Sequence, residues 1–316
     1  MKITIVAFDL WGFNQKIVDH LKSKGVEVTF IDSSKLTYVY KNKWQRFKNF
    51  LYKIILRKNI KKEYRNRVLF EKTNHLPKQD VVLIVNPSHF NTEILKILKE
   101  KTSKFIAYNY DSLARNPLPE NYLDLFETVY SFDVEDLKNN TYLKSLTNFN
   151  YLEKSIDNNI STKAFIVLLG SLKREKILKK IADNLDKQQI KNYEFIVVEP
   201  ELTTTNKNIQ LSQKTIPLNI IEEKMKNTEI LVDLIRENQS GLSFRFFEAM
   251  ALHKKIITNN KSVMEYDFYN ENNILVIDSD FTEIPTSFLS TQYKKIPESI
   301  YEKYTLNTWT KTVFGI

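Results

Sequence analysis

"TKAFIVLLGSLKREKILKKIADNLDK" (Thr162–Lys187) opens on an apolar run, passes through Gly170 and Ser171, and continues as a charged, helix-like stretch. A strand, a glycine loop and a helix in that order begin a βα unit. The same order begins the chain. "KITIVAF" (Lys2–Phe8) reads as a strand and is followed by a loop with Gly12. A helix near Asn14–Lys24 closes at Gly25, and "VEVTFID" (Val26–Asp32) is the next strand. The pattern therefore starts twice.

Outward from these two starts, strand-like and helix-like segments alternate. In the first half "DVVLIVN" (Asp80–Asn86), "KFIAYNYD" (Lys104–Asp111) and "TVYSFD" (Thr128–Asp133) are strands, with helices near Thr92–Lys101 and Asn121. In the second half "YEFIVVE", "EILVDLI", "KKIITNN" and "NILVIDS" are strands, and the tail "PESIYEKYTLNTWTKTVFGI" reads as closing helices. Alternation of this kind predicts an α/β protein with parallel sheets covered by helices. The Asn- and Lys-rich stretch Leu137–Thr162 suits a boundary. It gives an N-terminal Rossmann-like domain over 1–155 and a C-terminal one over 156–316.

Bulk composition narrows the function. A chain of 316 residues with 42% apolar and 27% charged residues buries a sizeable core, and it has no long low-complexity run. Without cysteine there is no disulfide framework, thiolate zinc site or cysteine nucleophile, and a reducing compartment fits. The first apolar run is too short for a secretory signal, and no run is long enough to span a bilayer. The expectation is a cytoplasmic protein.

The formal charge of +9 concentrates between Lys41 and Arg67, where eleven Lys or Arg face the single Glu63. Trp44, Phe47, Leu51, Ile54 and Ile55 recur there at helical spacing. Two readings stay open: a helix packing its apolar stripe on the core, or one lying on an anionic membrane surface. No nucleic-acid motif accompanies the charge, so nucleic acid is not expected as a partner.

Only five glycines occur where average usage would place about 22. Gly25 follows a helix, and Gly315 lies in the tail without an evident role. Gly12, Gly170 and Gly241 follow predicted strands, where ligands bind in open α/β sheets. There a helix N-terminus offers amides to a phosphate. In "QSGLSFRFFEAMALHKKIITNN" (Gln239–Asn260), the turn Ser240–Gly241–Leu242–Ser243 reads as such a cradle, with both serine hydroxyls as further donors. Arg245 and Glu248 follow one helical turn apart, suited to phosphate and ribose hydroxyls; a surface salt bridge is the plainer alternative. No loop is a GxGxxG or Walker sequence, and no Gly-x-Ser-x-Gly elbow supports a hydrolase.

This last segment resembles one found in a bacterial group of GT-B glycosyltransferases of lipopolysaccharide and capsule synthesis. "AYNYDSLARNP", "FETVYSFDVEDLKN", "YDFYNENNILVID" and "YTLNTWTKTVF" also resemble that group, in the same order, from about Phe105 to the C-terminus. The resemblance implies two Rossmann-like domains facing a cleft, closed by a C-terminal helix. It implies a nucleotide-sugar donor on the C-terminal half and an acceptor on the N-terminal half; the expected acceptor is a glycan, of which one carried on a lipid diphosphate is a candidate. Gly241, Ser243, Arg245 and Glu248 would hold the donor, with Gly170, Ser171 and Arg174 facing its phosphates. Neither a cofactor nor a metal is expected. One departure stands out: the Glu-x7-Glu of many retaining members has Ser240 in place of its first glutamate.

A base for an inverting transfer is sought at Asp111, then at Asp9, each of which also suits a helix cap. Gly12, His89 and Asp133 are expected to line the acceptor side. Asp278 and Asp280 have the spacing of a GT-A metal motif but fall near the chain's end, where a solvated turn is expected. A non-catalytic nucleotide- or glycan-binding module and a GT-B-fold sugar epimerase remain as alternatives.

Overall fold

The computed structural model describes residues 1–118, 120–155, 159–169, 172–198 and 209–316. Contacts divide the chain into two units, Met1–Phe132 with Asp136–Leu146, and Asp133–Glu135 with Thr147–Ile316.

Unit 1 holds β1 (Lys2–Ala7), α1 (Phe13–Ser23), β2 (Glu27–Asp32), α2 (Lys43–Ile55), α3 (Ile60–Asn74), β3 (Gln79–Val85), α4 (Thr92–Glu100), β4 (Thr102–Asn109), α5 (Glu120–Leu123), β5 (Thr128–Ser131), α6 (Val134–Asn139) and β6 (Leu143–Ser145), α6 beginning within the short segment assigned to unit 2. The strands form one sheet in the order β2-β1-β3-β4-β5-β6, with every pairing parallel. A parallel strand is covered on both faces, which is why Val81 to Val85 are buried without alternation. Val6, Val82, Ile84, Phe105 and Ala107 of the sheet meet Ile94, Leu95 and Leu98 of α4 and Leu69 of α3.

Unit 2 holds β7 (Thr162–Leu169), α7 (Leu172–Lys187), β8 (Tyr193–Val198), β9 (Ile209–Ser212), α8 (Leu218–Lys226), β10 (Thr228–Asp233), α9 (Phe244–Leu252), β11 (Lys255–Thr258), β12 (Ile274–Val276), α10 (Thr286–Ser290), α11 (Glu298–Tyr301) and α12 (Leu306–Phe314). Its sheet runs β12-β11-β10-β7-β8-β9, again all parallel. Leu178, Ile181 and Leu185 of α7 cover Ile166, Leu168, Phe195 and Val232. The α/β expectation of two Rossmann-like units is met, and the tail is helical as expected. Two short strands, β6 and β9, are additions to the sequence reading.

Strand order also locates each switch point. In unit 1 the chain leaves β1 toward β2 on one side and later toward β3 on the other. In unit 2 the same reversal lies between β7 and β10. Outside the carboxyl ends of those strand pairs, open α/β sheets leave a crevice for ligands. Gly12 sits at the unit 1 crevice with φ 85° as the residue before α1. Gly315 gains a role as well: with φ 82° it ends α12, its amide donating to Lys311 O at 2.9 Å.

Candidate functional site

At the unit 2 switch point, β10 ends at Asp233, and the following carbonyl, Leu234 O, accepts from Arg174 Nη1 at 3.3 Å. Arg174 Nη2 also donates to Leu169 O at the end of β7. One buried guanidinium thus bridges the two strand ends that frame the crevice. Gly170 and Ser171, expected beside it, lie outside the described residues.

Asp233 is half-buried at the end of β10, and desolvation pushes its carboxyl above the usual range against the pull of a hydrogen bond and two cations. Ser243 Oγ donates to Asp233 Oδ1 at 2.5 Å, and the Arg245 and Arg174 charges supply the other opposing effects. Ser243 also caps α9, accepting from Arg245 N at 3.2 Å. The same hydroxyl therefore fixes the helix start and the acid at the end of β10.

α9 is apolar nearly all round, and Phe246 to Leu252 are all buried. Such a helix belongs in a core. Glu248 is carried in with it at 1% exposure. Its Oε2 meets Arg245 Nη1 at 3.0 Å, and the Tyr151 hydroxyl donates to Oε1. Burial raises the Glu248 carboxyl, with Arg245 and Tyr151 acting against that rise. The pair is a buried one and not the surface salt bridge that sequence spacing also allows. Two carboxylates and two guanidiniums, from β10, α7 and α9, thus meet at the carboxyl end of the sheet.

The turn Ser240–Ser243 shows an unexpected occupant. Asp133, 1% exposed, accepts from Ser240 N at 2.6 Å, Gly241 N at 3.1 Å and Ser240 Oγ at 2.7 Å. Glu135 N donates to the same carboxylate at 3.1 Å. The structure places a carboxylate of the chain itself where the sequence reading places phosphate. Asp133 holds the turn and does not line open space. Leu242 is buried, its carbonyl accepting from Asn148 Nδ2 at 2.9 Å. Asp133→Asn should lower stability by about 1–3 kcal/mol, since an amide cannot accept from all these donors. Chemical denaturation of the purified variant checks this.

Unit 1 gathers a second group at its own switch point. Asp9 is buried after β1, accepting from Gly12 N at 3.0 Å, Gln15 N at 2.9 Å and Asn14 Nδ2 at 3.2 Å. Burial raises its carboxyl despite these donors. It is the anchor of α1. Asp111, after β4, is tied to Arg115 Nε at 2.9 Å and to Asn116 Nδ2 at 2.7 Å. Its side chain keeps 17% exposure. His89, after β3, packs edge-on against Phe8 at 5.9 Å, and its Nδ1 is buried with no hydrogen-bond partner among the described residues. Burial and the Arg65 charge lower its imidazole below the usual value, while the Asp111 charge works the other way. Asp9 and Asp111 also act together on Tyr110, whose hydroxyl they help to raise after the larger effect of burial.

Of the remaining candidates, Asp278 pairs with Lys261 at 2.6 Å on the surface. Among the described residues no three His, Cys, Asp or Glu side chains gather as metal ligands. His253 ends α9 with φ 53° and stacks on Tyr293. The contact of Asp133 with a turn over a hundred residues away had no sequence signal. His89 was legible only as a polar residue after an apolar strand.

No family model matches the chain, and no curated protein does. Among solved structures the chain is similar to an alpha,alpha-trehalose-phosphate synthase (UDP-forming) from Burkholderia vietnamiensis. The TM-score is 0.57 at 8% identity, over 99% of this chain and 98% of that one. UDP-GlcNAc 2-epimerase from Neisseria meningitidis aligns at TM-score 0.47 and 11% identity, covering 89% of this chain and 88% of that one. The glycosyltransferase SnogD from Streptomyces nogalater aligns at 0.45 and 10%, covering 99% and 98%. The first likeness extends along nearly all of both chains, and with the two six-stranded parallel sheets it establishes the fold as two Rossmann-like units of the GT-B kind.

Proposed function

We propose that the protein is a glycosyltransferase that takes a nucleotide-sugar donor on unit 2 and passes its sugar to a glycan hydroxyl held by unit 1. The observation that carries this reading is the assembly of Arg174, Asp233, Arg245 and Glu248 at the unit 2 switch point. Arg174 spans the two strand ends and Arg245 stands in the first turn of α9, so two guanidiniums converge on the switch point. In this reading they stabilise a diphosphate leaving group, whose charge grows as the glycosidic bond breaks. Glu248, engaged by Arg245 and Tyr151, fixes the Arg245 guanidinium in place for that role. Transfer is metal-independent in this reading.

In an inverting transfer the acceptor oxygen attacks the anomeric carbon, its proton passes to a base, and the nucleoside diphosphate departs. His89 suits the base better than Asp111 or Asp9. Its lowered pKa keeps the imidazole neutral at working pH and its ring is only partly buried, while each aspartate already accepts several hydrogen bonds. Resemblance to the lipopolysaccharide and capsule group supports a surface polysaccharide pathway with a lipid-diphosphate acceptor.

A thermal-shift screen of the native protein against UDP, GDP, ADP, CMP and dTDP, with and without EDTA, tests the donor site. One nucleoside diphosphate should stabilise the protein regardless of EDTA, by about 2.7 kcal/mol at a hundredfold excess over Kd. No shift from any of them would remove the donor reading.

A further inference from the structure

α2 is built inside out. Its only buried residue is Asn49, whose Nδ2 donates to Tyr40 Oη at 2.6 Å and whose Oδ1 accepts from Ile60 N at 2.9 Å. Half-buried Gln45 shares that inward face, accepting from Tyr38 Oη at 3.2 Å and from Lys41 N at 2.9 Å. The helix is therefore attached through polar groups. Its apolar stripe faces water: Trp44 is 77% exposed, Ile54 62% and Ile55 71%, with Phe47, Phe50 and Leu51 beside them. At 3.6 residues per turn these six side chains fall on one continuous arc. Sequence spacing correctly finds the stripe, but the core-packing reading of it does not hold.

A contiguous apolar face of this size on a helix that is otherwise solvated marks an interaction surface. Charge decides what covers it. Lys48 borders the arc on one side, Arg46 and then Lys53 follow its other edge, Lys43 stands within it at the first turn, and Arg57, Lys58, Lys61 and Lys62 follow directly. Across 41–67 there are eleven cations and one carboxylate. A second copy would bring the same charge against itself, which opposes pairing. An anionic bilayer suits both halves of the pattern. Its headgroups attract the cations, at about one favourable kcal/mol each near the surface, and its interface accepts Trp, Phe and Ile side chains. No helix among the described residues is long and apolar enough to cross a membrane. We propose that α2 lies in the plane of an anionic lipid surface, with Trp44, Phe47, Phe50, Leu51, Ile54 and Ile55 inserted and the flanking lysines on the headgroups. This inference stands independently of the transfer reading, since lipid binding needs neither donor nor acceptor.

Flotation of the full chain with vesicles of phosphatidylcholine alone, or mixed with phosphatidylglycerol, tests it. The protein should float only with the anionic vesicles and be released as ionic strength rises. The pairs Phe47→Ser with Ile54→Ser, and Lys43→Glu with Lys48→Glu, should each weaken partition by about tenfold or more. All four positions are solvent-exposed, so both variants should melt as the native protein does. Three results would overturn the proposal. The protein could stay with the solvent at low salt, or the serine pair could bind as tightly as native. Equilibrium sedimentation could also show a dimer that the serine pair dissolves, which would make the face a self-interface.

Discussion

Arg245→Ala should destabilise the protein by about 3–5 kcal/mol, because it leaves Glu248 buried without its counter-charge. Native stabilities of about 5–15 kcal/mol make that a large fraction. The loss should also depend on pH with a defined sign. Burial already raises the Glu248 carboxyl, and removing Arg245 takes away the largest opposing effect. The variant's folded state then holds a proton that its unfolded state releases, so stability should improve as pH falls and worsen as it rises. Denaturant melts across acid to neutral pH read this directly. A second variant separates fold from function. Arg245→Met combined with Glu248→Leu fills the same space without charge, and such replacements of buried pairs are often neutral or stabilising. If the assembly serves only structure, the double variant should fold and keep nucleotide-induced stabilisation. If it holds a diphosphate, the double variant should fold and lose it.

The second large effect is on rate. His89→Gln should lower kcat by about 10²–10⁴, the usual contribution of a positioned base, while the donor Kd stays unchanged. Native activity should rise with pH through a value below the ordinary histidine range and then level, since the imidazole must be neutral to accept a proton and burial lowers its pKa. That limb should vanish from the residual activity of the variant. Asp111→Asn provides the contrast. It removes a negative charge acting on His89, so the limb should move further to acid without a comparable drop in the plateau. A full loss in Asp111→Asn with little effect in His89→Gln would return the base to the aspartate.

Sequence reading succeeded where structure is local. Parallel strands covered on both faces must be continuously apolar, and runs such as Asp80–Asn86 and Thr162–Leu169 were visible on that ground alone. Gly12 and Gly25 were visible because scarce glycines collect where φ is positive. Short strands were not. β6 is Leu-Lys-Ser, whose single apolar residue carries no period. The stripe on α2 was legible, but periodicity says that a helix has two faces and not which one meets the core. In α9 the spacing of Arg245 and Glu248 was legible and their burial was not. Burial brings in partners far away in sequence, such as Tyr151, whose hydroxyl donates to Glu248.

Asp133 bears on where this chain can be divided. By contacts it belongs with unit 2, although β5 before it and most of α6 after it belong to unit 1. A fragment cut to begin at Thr147 would contain every strand of the second sheet and still lack the carboxylate that receives the Ser240 and Gly241 amides. Such a fragment should express as a sheet with an unfastened α9 entrance. A peptide supplying Asp133 to Glu135 in trans should tighten it. The second compact unit of this protein is therefore discontinuous in sequence, and a gene cut at the visible boundary would separate a lock from its key.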